Sequence, residues 1–158
     1  MPIPIYHYTT GDRFLRIIAS RAILPSTAHV EPPEIPAVWL SSAPVWEPSA
    51  TKGVIEDGIR RQASLAELIS LCGCLVRIAI DPTSARLICP SAFRDALRIP
   101  EHVHTRLIAA GLEMGADPAD WSAVAEPIPL TAIRRIEFSV EANPPKWIPW
   151  PGIRLRAS

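Results

Sequence analysis

The first residue in this chain whose type and setting could do chemistry is His7. It lies in Ile3 to Tyr8, a short aromatic and β-branched stretch that reads as a strand, with Thr9 following Tyr6-His7-Tyr8. On a strand His7 faces opposite to Tyr6 and Tyr8. An imidazole so placed either bonds backbone inside the core or lies in a cleft and donates to a ligand hydroxyl. Val38-Trp39-Leu40-Ser41-Ser42 reads as a second strand, ending in two hydroxyls, and Trp46-Glu47 and Thr51-Lys52 follow at once. Those serines either cap the turn before Pro44 or face a ligand. Two carboxylates stand near such elements: Glu47, beside Trp46, and Glu126, just past the strand candidate Trp121 to Ala125. A carboxylate is the group that steadies a developing positive charge.

Other constellations carry less. His102 and His104 are two apart on an expected helix and point away from each other, so they do not share a metal. Cys72 and Cys74 straddle a helix end and a strand start without a second pair at zinc spacing, and read as core thiols. No metal site is expected. The sequence has no Gly-x-Ser-x-Gly elbow and no Ser–His–Asp arrangement. Trp147 and Trp150, among Pro144, Pro145, Pro149 and Pro151, either stack on a base or pack down as a C-terminal strap.

A strand with histidine between aromatics, then Thr, then a helix leading to Ile23-Leu24-Pro25-Ser26, resembles the N-terminal element of ADP-ribosyltransferase-fold proteins. It is closest to their DarT-like and RNA 2′-phosphotransferase-like branches, and similar to uncharacterised bacterial proteins that begin with a like Tyr-His-Tyr-Thr. The resemblance implies NAD as substrate. It places His7 on the nicotinamide-side ribose, Tyr8 and Thr9 beside the nicotinamide, and Ser41, Ser42 and Trp46 along the same pocket. Ile128-Pro129-Leu130, Ile133 and Ile136 resemble the family's C-terminal end. The family's catalytic glutamate opens a late strand, ~6 residues before the Ile-Pro pair, about one strand length. That position falls near Trp121 or Ser122 here, which makes Glu126 a displaced candidate and Glu47 the alternative.

The implied reaction moves ADP-ribose from NAD to a macromolecule or nucleotide with loss of nicotinamide, as in a bacterial toxin or defence-related modifier. The alternative is a non-catalytic nucleotide- or peptide-binding module on the same fold. An RNA 2′-phosphotransferase activity would want basic residues converging near His7, and the sequence displays no such cluster there.

The elements that must position these residues follow from local pattern. Thr9 to Asp12 supply acceptors for a helix start, and Phe14, Ile17 and Ile18 recur at helical spacing. Residues 25–37 are a proline-rich loop, and 44–53 read as irregular. Ser64-Leu65-Ala66-Glu67 has capping-box spacing and opens a helix that ends at Gly73. Cys74 to Asp81 is the clearest strand, stopped by Pro82. Arg86 to Cys89 is an extended piece, Ser91 to Leu97 one or two helical turns, and Glu101 to Met114 the longest helix. Strands are expected at Trp121 to Ala125 and at Leu130 to Ile133 running on to Arg135 to Val140.

This order lacks βαβ alternation and any Gly-rich strand-to-helix loop, so Rossmann and P-loop sites are not expected. The expected class is α+β: one domain over 1–158, with a split antiparallel or mixed β-sheet core, flanking short helices and a Pro/Trp-rich strap over 143–158. That is an ADP-ribosyltransferase-like architecture.

Composition narrows the partners. Sixteen basic side chains balance sixteen acidic ones among 158 residues, which argues against duplex nucleic acid as a bulk partner. Eighteen prolines imply stiff, ordered connections. Three cysteines without framework spacing suit reduced thiols in a cytoplasm. The longest apolar runs are too short for a bilayer, and no signal peptide is apparent.

Overall fold

The structure is a computed structural model that describes residues 3–152. β1 (Ile5–Thr10) runs directly into α1 (Gly11–Ser20). Phe14 and Ile17 of the helix are buried while Asp12, Arg13 and Arg16 stay exposed, an amphipathic division the 3.6-residue period dictates. After β2 (Ala22–Ile23) and a proline-rich loop comes β3 (Val38–Ser41). β4 (Gly53–Glu56) and β5 (Ile59–Gln62) form a separate hairpin. Its turn is Asp57-Gly58, both at positive φ (51° and 79°), the geometry of a two-residue hairpin.

α2 (Leu65–Cys72) opens on the expected capping box: Ser64 Oγ accepts from the Glu67 N–H, and Glu67 accepts from the Ser64 N–H. β6 (Leu75–Ile80), α3 (Phe93–Ala96), α4 (Glu101–Glu113), β7 (Trp121–Val124), β8 (Ile128–Pro129), β9 (Ile133–Ser139) and β10 (Ile148–Pro149) complete the chain.

The main sheet has the order β10-β9-β6-β1-β3-β7, and every pairing in it is antiparallel. The sheet is therefore not mixed. β2 pairs with β8 beside it. The six strands form one continuous sheet rather than the expected split one. β1 pairs with β6 from Ile5↔Ile80 to Thr10↔Leu75, but its register with β3 is confined to Tyr6↔Ser41.

α1 covers one face of the sheet, over a core that includes Phe14, Val38, Leu40, Val76, Ile78, Val124 and Ile136. The other face packs Trp121, Ala123 and Ala37 with Phe93 and Leu97, and, further along, Tyr6 and Tyr8 with Trp46 and Trp147. The molecule is thus one α+β domain. No helix among the described residues is long and apolar enough to cross a membrane.

Residues 144–152 pack down. Trp147 joins the Tyr8 face, while Trp150 meets Phe14 at 4.5 Å between ring centres on the α1 face. The last part of the strap expected over 143–158 lies outside the described residues.

Candidate active site

β1, β3 and β7 are far apart in sequence and adjacent in the sheet. Side-chain alternation puts His7, Leu40 and Ser122 on the α1 face, with Leu40 opposite Ser122 in the ladder. Ser42 continues the same side just past β3. Its N–H donates to the Asp120 carbonyl at 2.9 Å and its hydroxyl to Asp120 Oδ1 at 2.8 Å. His7, Ser42, Asp120 and Ser122 are each partly accessible, whereas Val38, Leu40 and Val124 around them are buried. A polar, solvent-reachable patch therefore interrupts an otherwise apolar face, beside the β1–β3 pairing.

His7 Nδ1 lies 3.0 Å from the Trp39 carbonyl oxygen. A carbonyl can only accept, so Nδ1 carries the proton and donates, leaving the lone pair on Nε2. Burial holds this imidazole below its ordinary pKa; the Trp39 bond opposes that, and the charge of Arg13 adds to it. The ring is therefore neutral at pH 7. Nε2 has no hydrogen-bond partner among the described residues, and no buried side-chain nitrogen or oxygen is left unpaired among them. Nε2 is thus left as an acceptor, on a residue that is itself partly accessible. Of the two expected readings of His7, the backbone bond is the one present: its donor is spent on the Trp39 carbonyl, so Nε2 can only accept.

The remaining expected site residues divide between places. Thr9 is buried, two positions along β1 from His7 on the same side. Tyr8, on the opposite face, donates its hydroxyl to the Ala43 carbonyl and meets Trp46 edge-on, ring centres 5.2 Å apart. Trp46 Nε1 in turn donates to Thr51 Oγ1 at 3.0 Å. Tyr8 and Trp46 are brought to each other and not to His7.

Ser41 faces that side too. Its hydroxyl donates to Glu47 Oε2 at 2.6 Å, and Glu47 Oε1 accepts from Ser49 N at 3.1 Å, Ser49 Oγ at 2.5 Å and Trp121 Nε1 at 3.1 Å. Glu47 is buried and committed to these four donors, so it ties β3, the following loop and β7 together. Glu126 stands on an exposed bend after β7, with no hydrogen-bond or ion-pair partner among the described residues.

The loop after Ser42 is held by three successive carbonyls. Ala43 accepts from Tyr8 Oη, Pro44 from Arg77 at 2.6 Å, and Val45 from Trp147 Nε1 at 2.8 Å. The Arg77 guanidinium lies 4.8 Å from the centres of both the Tyr6 and Trp147 rings and pairs with buried Glu137 at 2.6 Å. This fixed scaffold sets where Ser42 emerges.

Asp120 was not among the expected site residues. The signal was present, since a carboxylate immediately precedes the strand that begins at Trp121. Its short side chain reaches Ser42 because a 3₁₀ turn over Pro118–Asp120, capped by Asp117, delivers it there. Chemically the patch offers a neutral imidazole acceptor, a carboxylate with one oxygen not taken by Ser42, and hydroxyls on two strands. No group of three or more His, Cys, Asp or Glu able to hold a metal occurs among the described residues. No family model, curated relative or solved structure matches the chain.

Proposed function

We propose that this domain binds NAD on the His7–Ser42–Asp120 face and transfers its ADP-ribose to a nucleophilic acceptor, a macromolecule or a nucleotide. One observation carries the reading. The three segments singled out by resemblance (the histidine strand, the hydroxyl-ended strand and the late strand) lie side by side as β1, β3 and β7, and present their polar groups on one accessible patch.

In this reading Nε2 of His7 accepts from a hydroxyl of the nicotinamide ribose. Asp120, at the head of the late strand, takes the place of the family's glutamate. The bond from ribose C1′ to the nicotinamide nitrogen breaks, its electron pair leaving with nicotinamide. The acceptor's lone pair then closes on C1′, and the acceptor loses a proton to solvent. Positive charge develops on the ribose between these events, and a fixed carboxylate stabilises it. Glu47 and Glu126 have no part in the step: the first is committed to the scaffold and the second lies on an outer bend.

The test is nicotinamide release from NAD by the purified chain. Asp120→Asn should reduce it by at least 10²-fold, the usual scale for loss of one electrostatic stabiliser, while Glu126→Gln leaves it unchanged. A fully active Asp120→Asn enzyme would defeat the assignment.

A second reading, the non-catalytic nucleotide- or peptide-binding module, is favoured by one fact: no glutamate lies on the patch. NAD binding without nicotinamide release, in wild type and Asp120→Asn alike, would select it.

A further inference from the structure

Where the proline-rich loop meets the end of α3 and the start of α4, the surface opens into a cleft of about 540 Å³. That is the scale of small-ligand sites. Phe93 seats this region on the sheet face opposite α1, away from His7. The walls are anchored from beneath. Phe93 and Leu97 are fully buried, and the Ile35 N–H donates to the Leu97 carbonyl at 2.9 Å, tying the loop to the helix end. Ile99, itself buried, lines the cleft with Pro33 and Pro100 and supplies an apolar surface.

Four charged side chains complete the lining: Arg94, Asp95, Arg98 and Glu101. Arg94 and Asp95 meet at 3.3 Å as exposed chain neighbours, a contact too weak to commit either group. Arg98 and Glu101 have no ion-pair partner among the described residues. The backbone adds a second sign. The Ile99 N–H donates to the Arg94 carbonyl at 2.9 Å and the Arg98 N–H to the Asp95 carbonyl at 3.4 Å, the pair of bonds that ends a helix on a left-handed residue. Arg98 is that residue, at φ 52°. Glycine is the usual occupant, because a Cβ is strained there. An unpaired guanidinium on backbone that disfavours it adds nothing to stability, so its use lies in what it can bind.

Guanidinium groups take a carboxylate in paired hydrogen bonds, and carboxylates accept from an ammonium. The formal charges of the four side chains cancel. A simple anion would be attracted by the arginines and repelled by Asp95 and Glu101. A ligand carrying both charges satisfies both pairs.

We propose that this cleft binds a small zwitterion of the amino-acid or dipeptide class. Its carboxylate lies on Arg94 and Arg98, its ammonium on Asp95 and Glu101, and its apolar side chain over Ile99. The site is separate from the NAD face and does not rest on that reading.

The experiment is calorimetric titration of the full chain with the dipeptide Leu-Leu, its carboxy-terminal amide, its N-acetyl derivative and inorganic phosphate, on wild type, Arg98→Gly and Glu101→Gln. Leu-Leu should bind wild type, and the amide and the N-acetyl form should each bind at least tenfold more weakly, about the scale of one lost hydrogen bond to a charged group. Arg98→Gly should lose at least tenfold for Leu-Leu while unfolding at or above the wild-type midpoint, since glycine suits the left-handed position. Glu101→Gln should weaken Leu-Leu and leave the N-acetyl form unaffected; at an exposed position, it keeps the proposal testable if Arg98→Gly folds poorly.

Failure of Leu-Leu to bind wild type overturns the site. So does equal affinity for Leu-Leu and its amide, or equal binding of Leu-Leu by wild type and Arg98→Gly. Phosphate bound as tightly as Leu-Leu would make the cleft a plain anion site and overturn the assignment as well.

Discussion

Replacing Gly111 with alanine sets a local gain against a packing loss, and the structure says which wins. Gly111 is in the interior of α4, where alanine favours a helix by about 1 kcal/mol over glycine. A Cβ there would lie 2.5 Å from Trp121 Cζ2 and closer still to Cη2. That is about an ångström inside a normal carbon contact of ~3.5 Å. The indole cannot yield easily: it is 5% exposed, its Nε1–H donates to Glu47 at 3.1 Å, and its backbone pairs with Ser41 in the sheet.

Overpacking costs about 1–3 kcal/mol, and contacts this short belong to the upper part of that range, about 2–3 kcal/mol, so after the helix gain the net effect is a loss of about 1–2 kcal/mol. In a domain of this size that is a fall in Tm of roughly 2–8 °C. Urea unfolding followed by far-UV circular dichroism, with a thermal scan beside it, measures both. A variant as stable as wild type, or more so, would refute the seating of α4 on Trp121. The way Trp121, Glu47 and the Asp120 turn are anchored would fall with it.

Two further outcomes follow from the same geometry. Glu47→Ala strips the acceptor from buried Trp121 Nε1 and from the Ser49 N–H, and should cost about 2–6 kcal/mol at about 1–3 for each of these two donors. Glu47→Gln keeps one acceptor oxygen and should cost less than half of that while retaining NAD turnover; loss of turnover in a stable Glu47→Gln protein would make this carboxylate catalytic after all.

The second concerns pH. Because His7 titrates below 6.5 when folded, the unfolded chain takes up its proton first. The stability His7 contributes is therefore complete above pH 6.5 and declines as the pH falls from there toward the folded value. Urea midpoints at pH 7.5, 6.5 and 5.5 should show that decline in wild type and a flatter profile in His7→Asn; parallel profiles would contradict the buried neutral imidazole.

What could be read from the sequence was what neighbouring residues decide. The α2 capping box, the strand that became β6 and the amphipathic α1 all rest on spacings of a few residues, and all formed. The β4–β5 hairpin also carried a local signal in Asp57-Gly58, which an irregular reading of the segment before it obscured. The site was only half legible. Alternation along β1 already separated His7 from Tyr8, so grouping Tyr8 and Trp46 with His7 followed the resemblance and not the strand. The place of Asp120 just ahead of the late strand was legible, but its contact with Ser42 became visible only once β3 and β7, some eighty residues apart, were paired. No periodicity announces a pairing of that range. The same holds for Lys52, which meets Asp12 and Thr10 across forty residues of intervening chain.

The central claim is that the unprotonated nitrogen of His7 faces the bound ribose of NAD. Long-range ¹H–¹⁵N spectra of the imidazole, recorded at pH 7 while NAD is added, test it most directly. The account predicts a neutral ring protonated on Nδ1 in the free protein, and a saturable shift of the Nε2 resonance that Asp120→Asn leaves in place and His7→Asn removes. An Nε2 resonance unmoved at saturating NAD, or a ring protonated on Nε2 from the start, would contradict it.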